Sequence, residues 1–198
     1  MRDADFFRRW MEATAAAVEQ EADRLTELDS PIGDADHGAN MLRGFTAVRE
    51  ALEAEEPGTP GAVLQLAGRT LISTVGGASG PLYGTLLRRT GKELGEAAEV
   101  SDDAVREALY AGVGAVAQLG GSAPGDKTML DALVPGVAAL STSYRAGGDA
   151  AQDGARATVP MLARKGRARY LGERSIGHQD PGATSSALLL GALAEVAG

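Results

Sequence analysis

The chain has 198 residues, 44% hydrophobic but only 4% aromatic, with no cysteine and a formal net charge of −8. Its length suits one well-buried domain over residues 1–198, and the missing cysteines exclude a disulfide scaffold and thiolate metal sites while fitting a reducing cytoplasm. The acidic balance argues against a nucleic-acid partner, and no run reaches the roughly 18 apolar residues of a membrane helix.

Helical periodicity recurs along the chain, and no stretch sustains the polar/apolar alternation of a strand. Helices are predicted over about 3–28, 37–55, 60–75, 80–94, 102–119, 127–142, 148–165 and 182–197, an all-α fold of eight elements. Ser101 is a good N-cap for the fifth, with Asp102 and Asp103 in its first turn. The second ends before "EEPGTPG", whose prolines cannot continue it.

Short connections favour antiparallel neighbours, so alternate loops should meet at the same end of an up-down barrel. The even-numbered loops, "EAEEPGTP", "GEAAEVSD" and "SYRAGGDA", are plain turn material. The odd-numbered ones are "LDSPIGDADHGAN", "VGGASGPLYGT", "LGGSAPGDKTM" and "KGRARYLGERSIGHQDPGATS", and they hold both histidines, His37 and His178. Residues 34, 79, 126 and 180 are thereby expected at one pole, and that pole is the candidate site.

The first odd loop crowds Asp29, Asp34 and Asp36 where nothing basic is near. Two such charges at about 4 Å repel by roughly 4 kcal/mol at an effective dielectric of 20, a penalty that a divalent cation removes. Carboxylates are hard ligands suited to Mg²⁺ or Ca²⁺, but an EF-hand is excluded because Phe45 stands where its closing glutamate belongs. In "GGASGPLYGT", Gly76, Gly77 and Gly80 allow close backbone approach, and Ser79 or the following amides can donate to phosphate. "GGSAPGDKTM" is no P-loop, since Asp126 replaces the lysine and two helices flank it; Lys127 can still reach phosphate, but an exposed first-turn residue is the favoured expectation. The last loop carries Lys165, Arg167, Arg169 and Arg174, a local basic device on an acidic chain, with Tyr170, Leu171 and Ile176 available to tie it down as a cover.

Taken together, "IGDADHGANM", "GGASGPLYG", "SAPGDKTMLDAL" and "YLGERSIGHQDPGATS" resemble the ADP-binding L subunit of dihydroxyacetone kinase, in order from about residue 20 onward. The resemblance implies an eight-helix antiparallel barrel with a nucleotide in the loops at one end. It implies that Asp29, Asp34 and Asp36 hold two Mg²⁺ ions. It further implies that His37, Gly38, Asn40, Ser79, Gly80, Gly121, Met129, Arg167, Asp180, Pro181 and Gly182 contact ADP or ATP; Gly120 and Arg169 are neighbours of the same type. No side chain is assigned as catalytic, because phosphoryl transfer rests mainly on positioning and charge neutralisation. Three aspartates and ADP carry about −6, which one Mg²⁺ reduces to about −4 and two to about −2.

By the same resemblance, the bound nucleotide accepts phosphate from a phosphohistidine on a phosphotransferase-system M subunit and passes it to dihydroxyacetone held on a K subunit. Nothing in the chain resembles that K domain, so alone it should not phosphorylate a triose. Two alternatives stand beside this expectation: a nucleotide-exchanging, ATP-dependent ketose kinase subunit, and a nucleotide-dependent regulator of a transcription factor. No nucleic acid or membrane is expected as partner, the location expected is the cytoplasm, and a homodimer is compatible with the sequence.

Overall fold

The computed structural model describes residues 1–198. Eight helices follow one another: α1 (Ala4–Asp29), α2 (His37–Glu55), α3 (Pro60–Thr74), α4 (Ser79–Leu94), α5 (Asp102–Gly120), α6 (Leu130–Ala139), α7 (Tyr144–Ala157) and α8 (Pro181–Ala197). Each packs on its neighbour in sequence and α8 returns to α1, closing an all-α up-down barrel.

Local chemistry starts most of these helices. Side-chain oxygens of Asp3, Thr59, Ser101, Ser143 and Asp180 accept from the amides of Phe6, Ala62, Ala104, Ala146 and Ala183, at 2.7–3.3 Å. Each such cap contributes about 1 kcal/mol, and Pro60 and Pro181 preset the first helical residue of α3 and α8. Helix α1 buries Phe7, Trp10, Met11, Thr14, Val18 and Leu25, a stripe at three- and four-residue spacing. Trp10 Nε1 donates to the Leu189 carbonyl at 2.8 Å, fastening α1 to α8 where the ring closes. Glycines bring helix backbones close together. On α3 and α4, a Cβ added to Gly68 or Gly84 would fall 2.7 Å from the other's carbonyl oxygen.

Three features depart from the sequence expectation. Helix α7 runs Tyr144–Ala157 rather than 148–165: Gly147 and Gly148, which read as turn residues, pack closely on Leu140 and Ala194, and Pro160 stops the helix early. Helix α6 begins at Leu130 rather than 127, because the Asp131 carboxylate accepts from Gly125 N and Thr128 N and holds the preceding turn. A two-residue antiparallel ladder pairs β1 (Arg2–Asp3) with β2 (Glu99–Val100), at the end away from the odd-numbered loops.

Candidate functional site

All four odd-numbered loops line one cavity of about 320 Å³ at one end of the barrel. Helices α2, α4, α6 and α8 all begin there, so their positive dipole ends face it. No side chain caps α4, which leaves the amides of its first turn available to an anion.

The acidic cluster is built in two parts. Asp29 closes α1 rather than lying in the loop, and its buried Oδ2 accepts from Asp36 N at 3.0 Å and His37 N at 3.3 Å. Asp29 thus does the N-capping of α2 that Asp36 leaves undone. Gly33 lies directly over it, where a Cβ would fall 1.9 Å from Asp29 Oδ1. Ala35 takes a left-handed φ of 58°, and one ligand oxygen from each of Asp29, Asp34 and Asp36 comes within 4.8 Å of the others. Arg167 Nη1 meets Asp34 Oδ2 at 2.6 Å and offsets part of the charge. An all-oxygen donor set, buried at Asp29 and exposed at the other two, fits Mg²⁺, which takes one or two carboxylates and keeps waters.

Beneath the acids a polar network joins three helices. His37 is buried, its Nε2 2.8 Å from Ser185 Oγ on α8 and its Nδ1 3.4 Å from Ser79 Oγ on α4. Burial lowers the imidazole pKa against the opposing pull of Asp29 and Asp36. Tyr83 Oη shares hydrogen bonds with Ser185 Oγ at 2.7 Å and Ser186 Oγ at 2.8 Å and donates to Gly182 O at 3.1 Å. Asn40 is also buried; its Oδ1 accepts from Arg43 Nη2 at 2.6 Å and abuts Gly76.

Residues 158–180 form the cover, with a 3₁₀ segment, Arg167–Ser175, at its centre. Ile32 from the first loop packs with Ala163 and Ala168, and Leu171 lies against them. Leu171 therefore ties the cover as expected, whereas Tyr170 and Ile176 are exposed, Tyr170 carrying Arg169 on its ring face at 4.7 Å. Lys127 departs from expectation too. It is buried, with Nζ bonded to the carbonyls of Met161 and Ser175 inside the cover. Asp180 caps α8 within the cavity wall, and burial pushes its carboxyl up to about 7, helped by Asp131 and Asp29 and opposed by the Ala183 amide and Lys127.

Of the residues singled out from sequence, Asp29, Asp34, Asp36, His37, Asn40, Ser79, Met129, Arg167, Asp180, Pro181 and Gly182 line the cavity. Gly38, Gly80 and Gly121 stand behind it. A Cβ on Gly38 would meet Ala22 O at 1.9 Å, one on Gly80 would meet Val75 O at 2.5 Å, and Gly121 is the left-handed C-cap of α5, with Gly120 at the wall instead. His178 does not line the cavity, and Asp126 turns its carboxylate to Ala123 N. Sequence reasoning missed Leu82, Tyr83 and Val116 as lining groups, whereas Lys165 of the basic loop lines the cavity beside Arg167. Leu82, Val116, Met129 and Pro181 supply apolar wall while the acids and Arg167 supply charge, a division that suits a ligand with a flat apolar part and an anionic tail.

Residues 31–195 match the DAK2 domain family. The chain is 44% identical to the ADP-binding subunit DhaL of the PEP-dependent dihydroxyacetone kinase of Escherichia coli, covering 93% of each chain. It is 42% identical to the ADP-binding subunit DhaL of the PTS-dependent enzyme of Lactococcus lactis, covering 94% of each. It also superposes on the dihydroxyacetone kinase of C. freundii in complex with AMP-PNP and Mg²⁺, with a TM-score of 0.79 and 27% identity, over 98% of this chain and 35% of that longer one. The chain belongs to the DAK2-domain family, alongside the ADP-binding L subunits of dihydroxyacetone kinases.

Proposed function

We propose that this chain is the nucleotide-carrying phosphotransferase subunit of a dihydroxyacetone kinase. ADP or ATP with two Mg²⁺ ions stays bound, takes phosphate from a phosphohistidine on an M subunit, and gives it to dihydroxyacetone on a K subunit. The observation that carries this reading is the convergence, on one cavity, of Asp29, Asp34 and Asp36 with Arg167 and the uncapped start of α4. A diphosphate needs cations and amide donors together, and these groups supply both.

The chain's own residues divide the work. Asp29, Asp34 and Asp36 would hold the metal ions, which supply charge neutralisation at the phosphates. His37 and Asn40, lodged in their hydrogen bonds, present fixed polar edges to the cavity. Ser79, Gly80, Asp180 and Gly182 bring two helix starts against the ligand, and Leu82, Val116, Met129 and Pro181 take its apolar part. Arg167, on the cover, reaches the anionic end. The names of relatives in E. coli and L. lactis, PEP-dependent and PTS-dependent, support the phosphohistidine donor over free ATP. Residues 1–198 act as one nucleotide-binding domain in the cytoplasm, alone or as a homodimer, and need partner subunits for turnover.

The test is the fate of the nucleotide. Purified protein is dialysed, denatured, and its supernatant run on anion exchange. Near-stoichiometric ADP is expected, with turnover when K subunit and phosphorylated M subunit are added. An empty site together with turnover on ATP alone would make the chain an exchanging ketose kinase subunit instead, and retained nucleotide without any transfer would make it a sensor.

A further inference from the structure

Lys127 adopts a left-handed φ of 62°, which a non-glycine residue keeps only where its surroundings over-determine it. The conformation turns the side chain inward, and the residue is 1% exposed where a first-turn lysine would be solvated. Its Nζ donates to Ser175 O at 2.7 Å and Met161 O at 3.1 Å, one acceptor ahead of the 167–175 segment and the other at its end. The same loop adds a third tie, Arg164 N donating to Asp126 O at 3.1 Å. Lys127 forms no salt bridge within 4 Å, Asp180 attracting it only from farther off, and burying an ammonium hydrogen-bonded only to carbonyls costs more than an apolar side chain of the same length. Because Lys127 also lines the cavity, an anion bound there stabilises the ammonium that holds the cover down.

We propose that Lys127 is a positioning residue whose ammonium clamps both arms of the 158–180 segment over the cavity and so sets how long a phosphate-bearing ligand remains. For the identity of the ligand this rests on the nucleotide reading; the clamp itself rests on the two carbonyl bonds and the buried stem.

The test uses Lys127→Met, which keeps the apolar stem and removes every donor, and Lys127→Gln, which keeps one amide donor on a shorter stem. Two rates are measured. The first is tryptic cleavage after Arg167, Arg169 and Arg174 in EDTA without nucleotide, with Arg24 and Arg89 as control sites outside the cover. The second is release of a fluorescent ADP analogue in Mg²⁺, followed by stopped flow. Lys127→Met is expected to raise cover cleavage and ADP release by about tenfold or more, with control sites and association changed by less than about twofold and Lys127→Gln in between. Wild-type rates in the cover, or equal acceleration at the control sites, would overturn the proposal. So would failure of both variants to fold, which would make Lys127 a core residue. If wild-type protein binds no ADP, the nucleotide reading fails while the trypsin comparison still decides the clamp.

Discussion

Arg167 Nη1 stands 2.6 Å from Asp34 Oδ2, so a guanidinium from the cover neutralises one of three carboxylates gathered within 4.8 Å of one another. The arrangement gives Arg167 two opposed effects. Against a bare cation it competes for Asp34; against an anionic ligand it attracts. Arg167→Gln should therefore tighten Mg²⁺ binding in the absence of nucleotide by up to about fivefold, since a solvated ion pair is worth about 0–1 kcal/mol. The same change should weaken ADP binding in saturating Mg²⁺ by about 10-fold or more. Isothermal titrations with Mg²⁺ alone and with Mg²⁺·ADP measure both, and changes of the same sign in the two would rule out this dual role.

Asp29 and Asp34 differ in kind although both belong to the acidic cluster. Asp29 caps α2 through Asp36 N and His37 N, whereas the Asp34 carboxylate is partnered by the Arg167 side chain and caps no helix. Asp29→Ala should cost about 1–2 kcal/mol in urea unfolding as well as metal affinity. Asp34→Asn should leave stability within about 0.5 kcal/mol and helical circular dichroism intact while abolishing ADP retention, and Asp36→Asn should do the same. Equal destabilisation by Asp29→Ala and Asp34→Asn would show that the capping assignment is mistaken.

The barrel was legible because helix punctuation is local: Ser101, Thr59-Pro60 and Asp180-Pro181 each mark a start that a few neighbouring atoms enforce. The convergence of four loops was legible too, since antiparallel neighbours leave no other place for them. What escaped reading depends on partners distant in sequence. Gly147 and Gly148 resemble turn residues until α6 and α8 are packed on them. Lys127 resembles a solvated first-turn lysine until Met161 and Ser175, far down the chain, offer it carbonyls. Tyr83, Ser185 and Ser186 sit on helices and read as ordinary interior positions; adjacent serines in the apolar run of α8 were the one available sign of a polar hub.

Tyr83 is that hub. Its hydroxyl bonds to Ser185, Ser186 and the Gly182 carbonyl, and burial raises its pKa, so it remains a neutral phenol throughout the physiological range. Tyr83→Phe keeps the ring, removes the one side-chain partner of Ser186 Oγ, and takes one partner from Ser185 Oγ, which keeps His37 and the Pro181 carbonyl. The expected cost is about 1–2 kcal/mol, a fall in Tm of roughly 2–4 °C for each kcal/mol, with a further loss of ADP affinity because Gly182 lines the cavity. Calorimetry of the ligand-free protein reads the first effect. An unchanged Tm would mean that Ser186 finds another partner and that Tyr83 organises nothing.

Asp180 gives the ligand-free barrel a pH dependence with a definite sign. In the unfolded chain its carboxyl titrates near 3.8, and in the folded protein burial holds it at about 7. Between those values the folded state keeps a proton that the unfolded state has lost, so stability falls as pH rises. The contribution is complete below about pH 4 and is lost as pH passes through about 7. Asn at this position remains neutral and still caps α8. Asp180→Asn should accordingly gain stability relative to the parent between pH 4.5 and 8, by on the order of 2 kcal/mol once solvent screening of the half-buried side chain is allowed for. Urea unfolding of both proteins in EDTA across that range measures the difference. A gain that shrinks with rising pH would mean that the carboxylate is charged and paired in the fold, with Lys127 outweighing burial.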